Sequence, residues 1–421
     1  MTDGYRQRRR PGVPVAGGLS RRSVLSAGMF GVVAAGLAGC GRQSNPAAAG
    51  RPQGPDLVLG ACLELTGSGS TVGLAAEHGL TIARDRLNTV GVSVAKSVRT
   101  VTVIVKDSAS DPKAAADITR DLIDNGHVSA IIGGATAETS VTMAEVAEKA
   151  KVPMLSTALA DSLIRPLTDR RFVFKLPPAA ADVADLITTQ IAKLGYTRIA
   201  VLAQVGPHGD SGLAEIITSA NNAGLQIVLS DRLPAGTGAN FAAQVAPLAA
   251  SVVRAAPQAT VIWSVAPTSE ATATALRAAG YTVAHPLFFD TGAAAGGSLT
   301  PQARATLQGS YQVGPSVVGG APHEVTTPAS GNRKDFVDDY TRRYGSISGL
   351  AVYTADAVNL LAASAARYGS TSPLRIRNAL ESFPFSGLAG TYSFSTINHG
   401  GVDPDLLTLF RLDMAGWGPV S

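Results

Sequence analysis

The sequence predicts an α/β protein built as two doubly wound parallel-sheet lobes. Three observations carry that expectation. Short apolar runs alternate with Ala-rich helical stretches, the pattern of parallel strands covered on both faces by helices. The runs fall into two successive series, before and after about residue 180. Beyond its N-terminal segment the chain keeps about 380 residues, which suits two domains of about 100–200 residues each. No fixed-period repeat of the solenoid kind is present.

The N-terminal segment is read first. Arg6, Arg8, Arg9, Arg10, Arg21 and Arg22 precede the apolar stretch "VLSAGMFGVVAAGLAG" (24–39). A cationic start, a short apolar region and a small-residue end describe an export signal. The run falls short of the ~20 strongly apolar residues of a spanning helix. Leu37-Ala38-Gly39-Cys40 resembles the bacterial lipobox. That resemblance implies cleavage before Cys40 and diacylglycerol on its sulfur. "SRRSVL" (20–25) resembles a twin-arginine signal without its usual Phe and Lys, so the export route stays open. Residues 41–55 are polar, Pro/Gly-rich and aperiodic, and read as part of a flexible tether.

Removing residues 1–39 takes six arginines and one aspartate from 35 cations and 31 acids, leaving 29 and 30. The basic balance belongs to the signal, so electrostatics gives no support for a nucleic-acid partner. Cys62 is then the one cysteine without an assigned role. It has no disulfide partner and reads as a small buried hydrophobe.

The strand-like runs follow in order. They are "DLVLGACLEL" (56–65), "VTVIVKD" (101–107), "VSAIIGG" (128–134), "VPMLST" (152–157) and "FVFKL" (172–176). The second series is "RIAVLAQ" (198–204), "LQIVLSD" (225–231), "ATVIWSV" (259–265) and "PLFFD" (286–290). Asp111 is placed to cap the helix after the second run, Pro112 suits its first turn, and Gly126 is expected to end it in a left-handed conformation.

The order of the pieces resembles the type I periplasmic binding proteins, the leucine/isoleucine/valine-binding family. The resemblance rests on "LELTGSGSTVG" with "HGLTIARDRLN", on "KDSASDPKAAAD" (106–117) and on "IIGGATAETS…VPMLSTALAD". It continues through "GSYQVGPSV", "DFVDDYTRRYG" (335–345), "GLAVYTADAVNLLAASAARYG" (349–369) and "GTYSFSTINHGG…LLTLFRL" (390–412). It covers roughly residues 56–418. It implies two lobes joined by three crossovers, with ligand in the cleft between them and closure about the hinge. The partition expected is 1–39 signal, 40–55 tether, 56–178 plus 315–390 for the first lobe, and 179–314 plus 391–421 for the second. The partners implied are a small-molecule ligand, the permease subunits of an ABC importer and, through Cys40, the outer face of the cell membrane. A monomer is expected, without a cofactor.

Three lookalikes point to other chemistries. "GSGSTVG" (67–73) has the spacing of a dinucleotide loop, but Val72 stands where the third glycine is needed. It reads as a turn presenting backbone N–H groups to the cleft. "GDSG" (209–212) resembles a serine-protease nucleophile segment, yet it joins a strand to a helix, so Asp210 and Ser211 read as helix-start residues. A hydrolase using Ser211 and a tethered sensor or scaffold are the alternatives to a transport role. The histidines at 78, 127, 208, 285, 323 and 399 show no ligand spacing, so no metal is expected.

In open α/β sheets ligands sit beyond the carboxyl ends of the strands. That rule and the resemblance select the same loops. The candidates are Thr66 and Thr71 in the first loop; Thr136, Ala137 and Thr139 in the third; Ala158, Ala160 and Asp161 in the fourth. His208, Ser264, Asp290 and Thr291 are the second-lobe candidates. Trp263 and Tyr353 are expected in the core. The resemblance places Ala137 and Ala160 where amino-acid binders clamp a carboxylate with hydroxyls, so free leucine, isoleucine and valine are expected to bind poorly. Thr136 and Thr139 are the residues able to rebuild that clamp.

Overall fold

A computed structural model describes residues 56–234, 236, 239–293, 301–320, 325–404, 407–413 and 416–420. Cys40, the expected signal and tether, and His323 lie outside the described residues.

The first series is β1 (Leu57–Leu63), α1 (Ser70–Val90), β2 (Val92–Val94), β3 (Ser97–Arg99), β4 (Val101–Asp107), α2 (Pro112–Asp124), β5 (Ala130–Gly133), α3 (Ala137–Ala150), β6 (Met154–Ser156) and β7 (Val173–Lys175). The second is α4 (Ala180–Lys193), β8 (Arg198–Gln204), α5 (Pro207–Asn222), β9 (Gln226–Leu233), α6 (Ala239–Ala255), β10 (Ala259–Trp263), α7 (Thr268–Ala278), β11 (Leu287–Phe289), α8 (Pro301–Leu307) and β12 (Tyr311–Pro315). The chain returns through α9 (Pro328–Tyr344), α10 (Gly349–Tyr368), α11 (Pro373–Leu380), β13 (Phe385–Ser386) and β14 (Thr391–Tyr392), and closes with β15 (Leu407–Leu412) and β16 (Trp417–Pro419).

Two sheets result. The first has the order β4-β1-β5-β6-β7 and is parallel throughout. The second has the order β16-β15-β12-β11-β10-β8-β9, with only β15 and β16 antiparallel. Alternate residues of each central strand feed opposite faces. Leu57, Leu59, Ala61 and Leu63 of β1 pack with α1 and α10, while Cys62 packs with α2 and α3. Ile199, Val201 and Ala203 of β8 face one core and Ala200 and Leu202 the other. Two edge strands differ from the expectation of full burial: Lys106 and Asp107 of β4 and Gln226 and Ser230 of β9 are exposed, whereas the edge strand β7 is buried throughout.

Local signals work as read at the start of α2, where Asp111 accepts from the Lys113 and Ala114 amides. At its end the left-handed residue is His127, not Gly126. Gly126 serves close approach instead: a Cβ there would stand 2.6 Å from the Leu122 carbonyl oxygen.

The chain passes from β7 to α4 at 175–180 and from β12 to the turn Ser316–Gly319 on the way back, where Val317 joins the first core. The last passage corrects the expected partition. Tyr392, Phe394 and Val402 pack in the first core, and β14 pairs with β13. The segment from 391 to Val402 therefore belongs with the first lobe, and the second sheet is rejoined only at β15. Aromatic anchors in that segment, rather than its position late in the chain, decide where it packs.

Candidate functional site

The segments that follow β5 and β6 meet the segment that follows β8 at the lobe junction. The two sides touch there. The Asp161 amide donates to Ser211 Oγ at 3.3 Å, and Glu138 Oε1 lies so near Gly206 that a Cβ on that glycine would stand 2.7 Å from it. Pro207 opens α5 at this point, and the first turn of that helix carries His208, Asp210 and Ser211. Ser211 Oγ donates to the Pro207 carbonyl four residues back, the bond of a serine inside a helix rather than of a cap.

On the first wall most candidate hydroxyls already have partners within the protein. Thr66 Oγ1 donates to Asp107 Oδ2 at 2.7 Å. The amides of Leu65, Thr66 and Ala109 converge on the same carboxylate. Thr71 is exposed on the first turn of α1. Ala137, Ala158 and Ala160 pack in the apolar cluster under α2 and α3, and the Ala158 amide donates to Ser156 Oγ at 3.2 Å.

Glu64 is the residue that sequence reading missed. It follows β1 and is fully buried. Its carboxylate accepts from the Ala135 amide at 2.9 Å, from the Thr136 amide at 3.4 Å and from Thr136 Oγ1 at 3.2 Å. Thr139 Oγ1 also donates to it, in a very short contact. These donors cluster at the amino end of α3, where Thr136 is the N-cap yet its hydroxyl makes no capping bond to the helix backbone, meeting Thr139 Oγ1 at 2.9 Å instead. Helix N-termini favour anions, and Glu64 supplies one. Burial pushes its carboxyl up against the opposing pull of those hydrogen bonds. The hydroxyls of Thr136 and Thr139, read as able to rebuild a clamp for a ligand, are thus held by the protein's own acid. The signal for Glu64 was a lone acid closing an apolar strand.

Asp161 sits in the 3-10 turn after β6, and its Oδ1 lies 2.6 Å from Lys175 Nζ. Its Oδ2 accepts from the Ala180 amide, while Lys175 also donates to the Pro178 carbonyl. Burial raises the carboxyl, but the Lys175 ammonium and the Ala180 amide outweigh it and hold it below the usual range. This pair ties the first crossover together.

The second wall differs. Asp290, just past β11, is fully buried, and His208 is 7% exposed. His208 Nε2 lies 2.7 Å from Asp290 Oδ2, an ion-pair distance, but without hydrogen-bond alignment. Both nitrogens of His208, both oxygens of Asp290 and the indole Nε1 of Trp263 are buried without hydrogen-bond partners among the described residues. The His208 and Trp263 rings are 6.1 Å apart. Gly212 lets α5 reach this point, since a Cβ there would stand 2.1 Å from the Trp263 ring. Trp263 and Tyr353 are both buried, as expected. Ser264 is engaged with Ser269, Oγ to Oγ at 2.9 Å, and Thr291 is buried beside Asp290. Buried polar groups are nearly always partnered, so a cluster of five unpartnered atoms is a place prepared for something else. No group of three or more His, Cys, Asp or Glu suited to a metal occurs among the described residues.

Comparison with known proteins agrees with this architecture. The family model for periplasmic binding proteins matches residues 57–416. An extracellular ligand-binding receptor from Rhodopseudomonas palustris is similar at 20% identity and TM-score 0.76, covering 88% of this chain and 100% of that one. An ABC transporter substrate-binding protein from Desulfitobacterium hafniense, solved with leucine, is similar at 18% identity and TM-score 0.68, over 87% of this chain and 100% of that one. A branched-chain amino acid transporter substrate-binding protein from Streptococcus pneumoniae, solved with isoleucine, is similar at 22% identity and TM-score 0.70, over 87% and 99%. Among curated sequences, glutamate receptor 1.1 of Arabidopsis thaliana is 40% identical over 63 residues, 15% of this chain and 8% of that protein's length. At these identities and coverages the likeness carries the fold.

Proposed function

Since the chain belongs to the periplasmic binding protein family and has its type I fold, we propose that it is an extracytoplasmic solute-binding protein that captures a small organic molecule between its lobes. In this reading it delivers the solute to an ABC-type importer, is held at the membrane by lipid on Cys40, and closes about its crossovers when loaded. A ligand closes the lobes only to the extent that it binds the closed form better.

The observation that carries the reading is the unpartnered set formed by Asp290, His208 and Trp263 on the second wall. A solute that donates to Asp290 relieves a desolvation cost the empty protein bears. The type I relatives solved with leucine and isoleucine point to amino acids or related small molecules as the class to search.

The test is a thermal-shift and titration screen of the purified protein against a metabolite panel. A true ligand stabilises saturably, and Asp290→Asn weakens it by ~10–100-fold, the size of one hydrogen bond to a charged group. A panel whose hits bind wild type and Asp290→Asn alike sinks the assignment of the site. For the anchor, Cys40→Ser should move the protein out of the detergent phase, and unchanged partitioning would count against lipidation.

A further inference from the structure

We infer that Glu64 fills the anion-holding donors of the first cleft wall with the protein's own carboxylate, so that the captured solute is an amine or carboxamide without a free carboxylate. The inference rests on the solute-binding reading above and narrows its substrate class.

The amino end of α3 is a complete anion site. Two backbone amides and two hydroxyls, from Ala135, Thr136 and Thr139, converge on one point. An incoming carboxylate would find the strongest anion donors of this wall here. Glu64 already occupies them. A Cβ on Gly73 would stand 2.0 Å from the Glu64 carbonyl oxygen, and one on Gly69 3.1 Å from its Cβ, so the start of α1 packs directly against this residue. A solute carboxylate would find no donor left at this point, because the Glu64 side chain takes them.

The opposite wall carries an acid of its own. Asp290 presents two acceptor oxygens and no donor. An ammonium or an amide N–H satisfies it. The Trp263 indole N–H, also unpartnered, suits a neutral carbonyl oxygen. The first wall thus has its anion donors filled, and the second offers an acid that requires a donor.

The experiment uses the full-length protein and sorts the metabolite panel by carboxylate content. Propionate, which matches the Glu64 side chain, serves as a direct probe of the vacated site. Every saturable wild-type hit that Asp290→Asn weakens tenfold or more is expected to lack a carboxylate. Propionate should leave the wild-type melting temperature unchanged, raise that of Glu64→Ala, and bind the variant at least tenfold more tightly than wild type. Should Glu64→Ala fail to fold alone, propionate should restore its folding. Glu64→Ser, which vacates the same space and leaves a small hydroxyl, should then show the same gain. A carboxylate-bearing hit on wild type that depends on Asp290 overturns the inference and leaves the solute-binding reading standing. So does the absence of any propionate gain in folded Glu64→Ala or Glu64→Ser. A panel without hits sinks the solute-binding reading instead, while the propionate arm still decides the role of Glu64.

Discussion

Asp161 with Lys175 and Asp290 with His208 are both buried acid–base pairs, with closest approaches of 2.6 and 2.7 Å. Their surroundings are opposite. Around the first pair the Ala180 amide and the Pro178 carbonyl add aligned hydrogen bonds to the acid and to the ammonium. Around the second, neither the ring nitrogens nor the carboxylate oxygens find an aligned partner. Burying charge is repaid only by good geometry and added hydrogen bonds. The first pair meets that condition and serves the fold, holding the crossover between β7 and α4. The second leaves its cost standing, which a bound solute would offset. Burial and ion-pair distance do not separate structure from site here; completeness of hydrogen bonding does.

The largest effect tests the complete pair. Lys175→Met leaves Asp161 buried without its counter-charge, and should destabilise the protein by ~3–5 kcal/mol in urea unfolding. Asp290→Asn removes no aligned hydrogen bond, and should leave stability within about 1 kcal/mol of wild type or raise it. Equal losses in the two variants would break the distinction.

Asp356 on α10 is an intermediate case. It is fully buried and accepts from the Leu388 and Ala389 amides and from the Tyr392 hydroxyl, but no cation bonds it directly. Burial pushes its carboxyl from 3.8 up to about 6, against those hydrogen bonds and the more distant charge of Arg333. The folded value lies above the unfolded one, so ionisation opposes folding. Below about pH 4 both states are protonated and nothing is lost. As pH rises from about 4 to 6 the unfolded chain ionises first, and stability should fall by up to ~3 kcal/mol before levelling. Asp356→Asn should lack this component, whatever its baseline stability. Chemical unfolding of both proteins at pH 4, 5, 6 and 7 measures the difference. Parallel curves would mean that the three hydrogen bonds repay the burial in full.

How much of this was legible depends on how far apart the partners lie in the chain. β4 and β8 match their sequence runs to the residue, because an apolar run bounded by turn residues is a local signal. The cap at Asp111 was local too. The hairpin of β2 and β3 was not seen, since three-residue strands carry too little pattern to rise above a loop. Glu64 and Lys175 were visible as charges inside apolar runs, but their roles were not. The Glu64 carboxylate meets an amide 71 positions away, and no local rule joins them. His208 and Asp290 were named as candidates separately, whereas their pairing depends on how α5 lies across β10, which the Gly212 contact with Trp263 allows.

The smallest expected effect falls on Thr66, a residue the first loop offered as a ligand contact. Its hydroxyl donates to Asp107 at 2.7 Å, and three backbone amides reach the same exposed carboxylate. By the criterion of completeness Thr66 belongs to the fold, although it lies on a loop at the carboxyl end of β1. Thr66→Val keeps the branched shape and removes one hydrogen bond to a solvated acid, a loss of about 1 kcal/mol or less. Solute affinity should stay within about twofold, since the hydroxyl has no spare role to give up. Paired melts and titrations with any hit from the metabolite panel read both quantities. An affinity loss of tenfold or more with unchanged melting would place a fully partnered hydroxyl in the binding site. The contrast drawn between the two acid–base pairs would then no longer tell structural groups from ligand-binding ones, and the assignment of Glu64 to the protein's own use would lose its footing with it.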